Sequence, residues 1–213
     1  MEFNKAKVIS YSKMDHDGKE LNLLEQVAYC ARVSNPENQH NHLTSEKLCK
    51  YLLKHHHYSP FEMVNICMEI ETTRDISRQM IRHRSFSFQE FSQRYALANN
   101  FTTRECRLQH PTNRQMSLYT DNQELKDTFV LLQEELIKKE KEYYDFCIEN
   151  NIAKEQSRVI LSEGLTRTRL YMNGTLRSWI HYLEIRTGDD TQMEHRDIAL
   201  KIKEEINKLF PFF

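Results

Sequence analysis

The chain has 213 residues, a formal net charge of -1, 39% hydrophobic and 29% charged residues, which fits one domain built on one core. The balanced charge argues against a general polyanion binder, which carries a large positive excess, and no apolar run approaches the roughly 20 residues that span a bilayer. Only Gly18, Gly164, Gly174 and Gly188 occur, so neither a GxGxxG dinucleotide turn nor a GxxxxGKS/T phosphate loop can be written.

In chain order, the opening AKVISYS reads as a short strand, without the apolar block of a signal peptide. Leu21 to Val33 and Thr44 to His57 have helical apolar spacing, the second through Leu48, Tyr51, Leu52 and His55. Ser59-Pro60 breaks that helix, because proline disfavours helical geometry in the residue before it. Phe61 to Glu71 alternates as a strand, with Val64, Ile66, Met68 and Ile70 on the buried side. Thr73 is placed to cap a helix through Arg74 to Ile81, and the following segment, lacking a helical period, reads as an ordered loop. Asp121 with Glu124 resembles a capping box opening a long helix to about Asn150. Tyr171 to Gly174 reads as a turn or short strand, and further helices cover Leu176 to Ile185 and Asp190 to Leu209. The expected fold is α+β, a helix-rich single domain over residues 1–213 with a small antiparallel sheet.

Fifteen arginines and fifteen lysines are sorted along the chain. Arginines 74, 78, 82, 84, 94, 104, 107 and 114 fall in a lysine-free block between Lys54 and Lys126. Arginines 158, 167, 169, 177, 186 and 196 fall in a second block between Lys154 and Lys201. Arginine offers a planar, permanently charged fork that matches phosphate or carboxylate bidentately. Arg74, Arg78 and Arg82, four apart, are expected on one helix face. The run RHRSFSFQEFSQRY, Arg82 to Tyr95, then sets cations, hydroxyls, amides and Glu90 among Phe86, Phe88 and Phe91. Such a loop suits a nucleotide monophosphate. Two readings compete with it. The arginines can serve structural ion pairs, or the loop can be a single-stranded nucleic-acid platform on which bases stack. Nearby Glu69, Glu71, Asp75, Glu90 and Glu105 weigh against nucleic acid.

Cys30, Cys49, Cys67, Cys106 and Cys147 are odd in number and lack CxxC spacing, as expected of a reducing cytoplasm. Cys49, Cys67 and Cys147 sit in apolar-periodic elements and read as structural rather than nucleophilic. His55, His56 and His57 are consecutive and point different ways, and no spacing completes a metal site, so none is expected. Ser92 has no base fixed to it by spacing and reads as a hydrogen-bonding group. The Phe210–Phe213 tail can dock on the core or on an adjacent subunit.

The run Arg82, His83, Arg84, Ser87, Glu90, Ser92, Arg94, Tyr95 resembles the signature of the flavin-dependent thymidylate synthases, with Gln89 where that family usually has asparagine. Ala31-Arg32-Val33-Ser34 and His57-Tyr58-Ser59-Pro60-Phe61-Glu62 resemble its upstream elements, the latter H-x-S/T-P-F-E. Arg158 matches an arginine before the family's xxLP, with Ser162 in place of the proline. Leu176 to His181, Arg186 and Gln192 to Arg196 resemble its last active-site helix and following Q-x-E-x-R.

The resemblance implies the thymidylate synthase-complementing fold and reductive methylation of dUMP to dTMP. Methylenetetrahydrofolate would donate the methylene and NADPH would supply reducing power through FAD, with no cysteine nucleophile. By position, dUMP would be held by Gln79, Arg82, Glu90, Ser92, Gln93, Arg94, Arg158 and Arg186. FAD would be lined by Ser34, Ser59, Glu62, Arg82, His83, Arg84, Ser85, Glu90, Thr175, Arg177 and His181. Arg186 would stabilise the ionised uracil ring, and His57 would stand where folate or nicotinamide approaches the flavin. A cytoplasmic homotetramer with active sites between subunits is implied, with no nucleic-acid or membrane partner.

Overall fold

A computed structural model describes residues 1–211. The strands are β1 (Lys5–Tyr11), β2 (Met14–His16), β3 (Lys19–Leu21), β4 (Asn65–Thr73), β5 (Ser87–Glu90), β6 (Arg107–Gln109), β7 (Ser117–Tyr119) and β8 (Arg167–Thr175). The α-helices are α1 (Leu23–Ala31), α2 (Ser45–Lys54), α3 (Arg74–Met80), α4 (Gln123–Glu149), α5 (Lys154–Ser157), α6 (Leu176–Arg186) and α7 (Met193–Asn207). The main sheet is antiparallel, in the order β1-β4-β8-β5, and two small hairpins, β2-β3 and β6-β7, stand apart from it. This is the mixed, helix-rich α+β architecture with small antiparallel sheets that the sequence led us to expect. Among the described residues no helix is long and apolar enough to cross a membrane.

The core lies on one face of the main sheet. Ile66, Met68 and Ile70 of β4 and Leu170 and Met172 of β8 are fully buried, as period-two alternation requires of a half-covered strand. Against them pack Leu176, Trp179 and Leu183 of α6 and Ile198, Ile202 and Ile206 of α7. Trp179 is fully buried and its indole N–H donates to the Ile66 carbonyl at 3.1 Å. That bond satisfies the ring's only polar atom and pins α6 to β4. Phe210 is buried edge-on to Phe61, 5.9 Å between ring centres, so the start of the tail docks on the core. The expectation for Phe212 and Phe213 lies outside the described residues.

Several local expectations change. The strand predicted from Phe61 begins at Asn65, because Ser59–Met63 forms a 3-10 turn with proline in its first positions. The long helix is capped by Asn122 rather than Asp121, the Asn122 side chain accepting from the Leu125 amide at 3.0 Å. Thr73 holds the N-cap position of α3, but its hydroxyl donates to Asp75 (2.7 Å) instead of capping. Helix α3 stops at Met80, so Arg82 leaves the face that Arg74 and Arg78 share.

Two larger corrections concern strands. The segment after α3, read as a loop, contains β5, and the short strand or turn read at Tyr171–Gly174 is the nine-residue β8 at the middle of the sheet. Thr168, Leu170, Met172 and Gly174 point inward, while Arg167, Arg169, Tyr171 and Asn173 alternate on the other side. Arginines on the outer face hid that period.

Gly174 marks the closest packing. An added Cβ would lie 2.4 Å from Phe86 Cδ1, and Phe86 is itself wedged edge-on against Trp179 at 4.6 Å. Gly174→Ala is therefore expected to destabilise the fold by about 1–3 kcal/mol through overpacking. A denaturation midpoint equal to that of the unsubstituted protein would contradict this reading of the contact.

Candidate functional site

Sheet topology brings the two arginine blocks together. Helix α3 follows β4, and the chain then turns twice, His83 N–H donating to Met80 O (3.0 Å) and Phe86 N–H to His83 O (3.3 Å), before entering β5. Strand β5 docks on β8, and β8 runs directly into α6, with Thr175 as N-cap accepting from the Ser178 amide at 3.3 Å. The RHR corner and the start of α6 therefore sit at the same end of the sheet.

A cleft of about 470 Å³ opens there. Among its walls are Glu62, Ser85, Thr175, Arg177 and His181, five of the residues expected to line FAD. Its frame is hydrogen-bonded. The Glu62 carboxylate accepts from Arg177 at 2.6 Å and from Thr175 at 3.1 Å, and Ser178 donates to the Ser85 carbonyl at 3.2 Å. Tyr58 and Ser178, not singled out from the sequence, also line the cleft, and the Arg177 guanidinium lies 6.0 Å from the centre of the Tyr58 ring. Tyr58 is legible only as the aromatic inside the HYSPFE element.

Behind the cleft, Arg186 Nε donates to His83 Nε2 at 2.9 Å. This bond joins the first arginine block to the second. It requires a neutral His83, and the surroundings provide one. Burial, with the nearby charges of Arg186 and His181, pushes His83 down to about 4. His195 is fully buried and pushed down to about 3, again by burial first and then by Arg186.

Both shifts favour the neutral ring in the folded state, whereas the unfolded chain takes up protons near the ordinary value of 6.5. Stability is therefore complete above about pH 6.5 and is lost as pH falls toward the two folded values. His195 alone gives a slope of roughly 1.4 kcal/mol per pH unit, and the partly exposed His83 adds less. Urea midpoints at pH 7, 6 and 5 check this. A midpoint that does not fall between pH 6 and 5 contradicts the buried neutral histidines.

On the other side of the RHR corner, Glu90 is fixed. One carboxylate oxygen accepts from Ser77 (2.9 Å) and Thr168 (3.0 Å), with the buried Arg74 guanidinium 3.7 Å away. Arg74, Ser77 and Thr168 were not assigned to the site from the sequence. Gln93 is buried with its amide nitrogen unpartnered, and Ser92 closes a turn through the Arg94 amide at 3.3 Å.

The arginines divide in two. Arg74, Arg78, Arg104, Arg107, Arg167, Arg177 and Arg196 meet carboxylates, as the structural ion-pair reading expected. Among the described residues, Arg32, Arg82, Arg84, Arg114, Arg158, Arg169 and Arg186 have no carboxylate within ion-pair distance; Arg82, Arg84, Arg158 and Arg186 of these belong to the expected ligand set, whereas the expected ligand Arg94 meets Glu155. An anion can approach those four without displacing an internal acid.

Other expected residues stand apart. Ser34, His57 and Ser59 are exposed, and none lines the cleft. His57 packs near Tyr51, 6.1 Å between ring centres, rather than on Arg186 or His83. Arg94 leans 3.7 Å from Glu155 on the surface. The Gln79 amide is engaged at both ends, by His195 (3.1 Å) and Gln192 (2.6 Å).

The family model described as thymidylate synthase complementing protein matches residues 19–212 of the chain. A probable flavin-dependent thymidylate synthase of Paramecium bursaria Chlorella virus 1 is 45% identical, the match covering 97% of this chain and 95% of the relative. The flavin-dependent thymidylate synthase of Synechocystis sp. is 44% identical over 92% of this chain and 89% of its own. In fold, the chain is similar to the UMP/dUMP methylase PolB of Streptomyces cacaoi, solved with 5-Br dUMP, at a TM-score of 0.82 and 23% identity. That match covers 97% of this chain and 90% of the other.

Proposed function

The chain belongs to the flavin-dependent thymidylate synthases, and from that premise we propose that it methylates dUMP to dTMP with FAD bound in the cleft beside α6. The observation that carries the placement is the His83–Arg186 bond, flanked by arginines without carboxylate partners. The methylene comes from methylenetetrahydrofolate and the reducing equivalents from NADPH. The enzyme works in the cytoplasm as a homotetramer whose active sites lie between subunits.

The residues present fit FAD. The cleft frame offers hydroxyls at Thr175 and Ser178, and Arg84, next in the chain to the cleft residue Ser85, would neutralise a pyrophosphate together with Arg82. When bound, FAD supplies the store of hydride for the reductive step. The chain's own groups then bind and orient dUMP. Arg82 and Arg158 meet the phosphate, joined by Arg94 when it leaves Glu155, and Glu90, Ser92 and the unpartnered Gln93 amide take sugar and base edges. Arg186, fixed through Nε, keeps its two terminal nitrogens for the uracil ring. There a permanent cation stabilises the ionised pyrimidine and raises the electron density at carbon 5. His57, on the exposed turn after α2, is assigned to the approach of the co-substrates by the family resemblance alone.

No thiol is set up for attack on carbon 6. Burial raises the pKa of Cys30 and Cys67 and pushes Cys49 up to about 12, and no cysteine lines the cleft. The test is dTMP formation from dUMP, methylenetetrahydrofolate and NADPH, before and after thiol alkylation of the folded protein. Turnover that survives alkylation is expected. Absence of dTMP from flavin-loaded protein, or loss of turnover on alkylation alone, would overturn the reading.

A further inference from the structure

A chain of hydrogen bonds runs through the interior from α7 to α6. Glu194, almost fully buried, is ion-paired with Arg107. Gln192 Nε2 donates to Glu194 at 2.9 Å, Gln79 Nε2 donates to Gln192 Oε1 at 2.6 Å, and Gln79 Oε1 lies 3.1 Å from His195 Nδ1. His195 Nε2 lies 3.0 Å from the Tyr182 hydroxyl. The Tyr182 ring meets the His83 ring edge-on at 5.0 Å, and His83 is the acceptor of Arg186.

The chain has a direction. Arg107 and Gln192 keep Glu194 ionised below the usual carboxylate range in spite of its burial. An ionised carboxylate only accepts, so Gln192 must turn its NH2 toward Glu194 and its oxygen toward Gln79. Gln79 must then donate to Gln192 and aim its own oxygen at His195. His195 therefore carries its proton on Nδ1, leaving Nε2 to accept from Tyr182, whose burial raises its pKa and keeps it protonated. No other set of amide orientations satisfies every link.

We propose that His195 is a positioning residue for the nucleotide site, holding the Gln79 amide at its oxygen so that its free N–H stays aimed at dUMP, in a relay whose polarity is set by the Arg107–Glu194 ion pair. The inference rests on the assignment of Gln79 to the dUMP site made above. Gln79 is only partly buried and lies four residues before His83. With one N–H committed to Gln192, its second N–H is the donor left for ligand. Without His195 the amide is held only through its bond to Gln192, and the second N–H loses its aim. Nothing in the family resemblance assigned a role to His195, Tyr182 or Gln192.

The test is a double-mutant cycle on flavin-loaded protein, reading the dUMP dissociation constant by calorimetry alongside flavin content and kcat. His195→Phe and Gln79→Ala are each expected to weaken dUMP about tenfold at unchanged flavin content, with kcat at saturating dUMP reduced less. The double variant is expected to be no weaker than Gln79→Ala. His195→Gln, which keeps a donor and an acceptor, is expected to recover most of the affinity. Additive losses in the double variant, or wild-type affinity in His195→Phe, would overturn the proposal. If His195→Phe fails to fold, the near-isosteric Tyr182→Phe decides. A several-fold loss confined to the Gln79 background supports the relay, and unchanged affinity overturns it. An unsubstituted protein that does not bind dUMP overturns the proposed function instead.

Discussion

Arg186→Lys is expected to keep its flavin and to lose dTMP formation by about a hundredfold or more. The side chain is held at one atom, Nε donating to His83 Nε2 at 2.9 Å, so the plane of the guanidinium is fixed before any substrate arrives. That fixed plane offers two further nitrogens to charge developing on the pyrimidine. Preorganised donors of this kind are worth roughly a hundred- to a thousandfold in rate. Lysine supplies one ammonium on a flexible stem, so it can meet His83 or the ring, but cannot hold the same geometry toward both. The flavin frame at Glu62, Thr175 and Arg177 does not involve Arg186. Steady-state dTMP formation and the bound-flavin ratio, measured on one preparation, separate the two effects. Normal turnover in this variant would remove Arg186 from the catalytic assignment.

Glu194→Ala is expected to produce the largest loss of stability. Glu194 is 1% exposed and Arg107 opposes it with a side chain only 10% exposed. Removing one partner of such a pair leaves a buried cation without compensation, a loss of about 3–5 kcal/mol. For a domain of this size that corresponds to a fall of about 10 °C in the melting midpoint. The second partner, Gln192, loses its acceptor too. A midpoint within a degree or two of the unsubstituted protein would mean that the ion pair is dispensable.

Part of the candidate site was legible in the sequence because its groups lie close together in the chain and their order resembles a known family. HYSPFE supplies Tyr58 and Glu62 to the cleft, and RHR supplies the His83 that meets Arg186. Helices with one apolar stripe, such as α6 and α7, were also legible, since burial imposes the period of 3.6. Strand β8 was not, because Arg167 and Arg169 face outward from a strand whose inner positions are Thr168, Leu170, Met172 and Gly174. A pattern read for cations concealed a pattern of alternation.

Partners chosen across the fold were also illegible. Arg74 reads in sequence as one of three arginines on a helix face, yet it is 6% exposed and lies against Glu90 and Glu163. His195 enters the sequence reading only as a variable position inside the Gln192–Arg196 stretch. Only the packing of α3, α6 and α7 brings Gln79, Tyr182 and His195 into one relay. The same packing joins one member of each arginine-rich half, His83 and Arg186, within one chain.

The proposed function places a flavin next to a nucleotide at this end of the sheet. One visible absorbance spectrum of the purified protein, taken before and after addition of dUMP, tests it. A yellow protein whose flavin band is perturbed by dUMP is the expected result. A colourless protein that takes up no added FAD would contradict it.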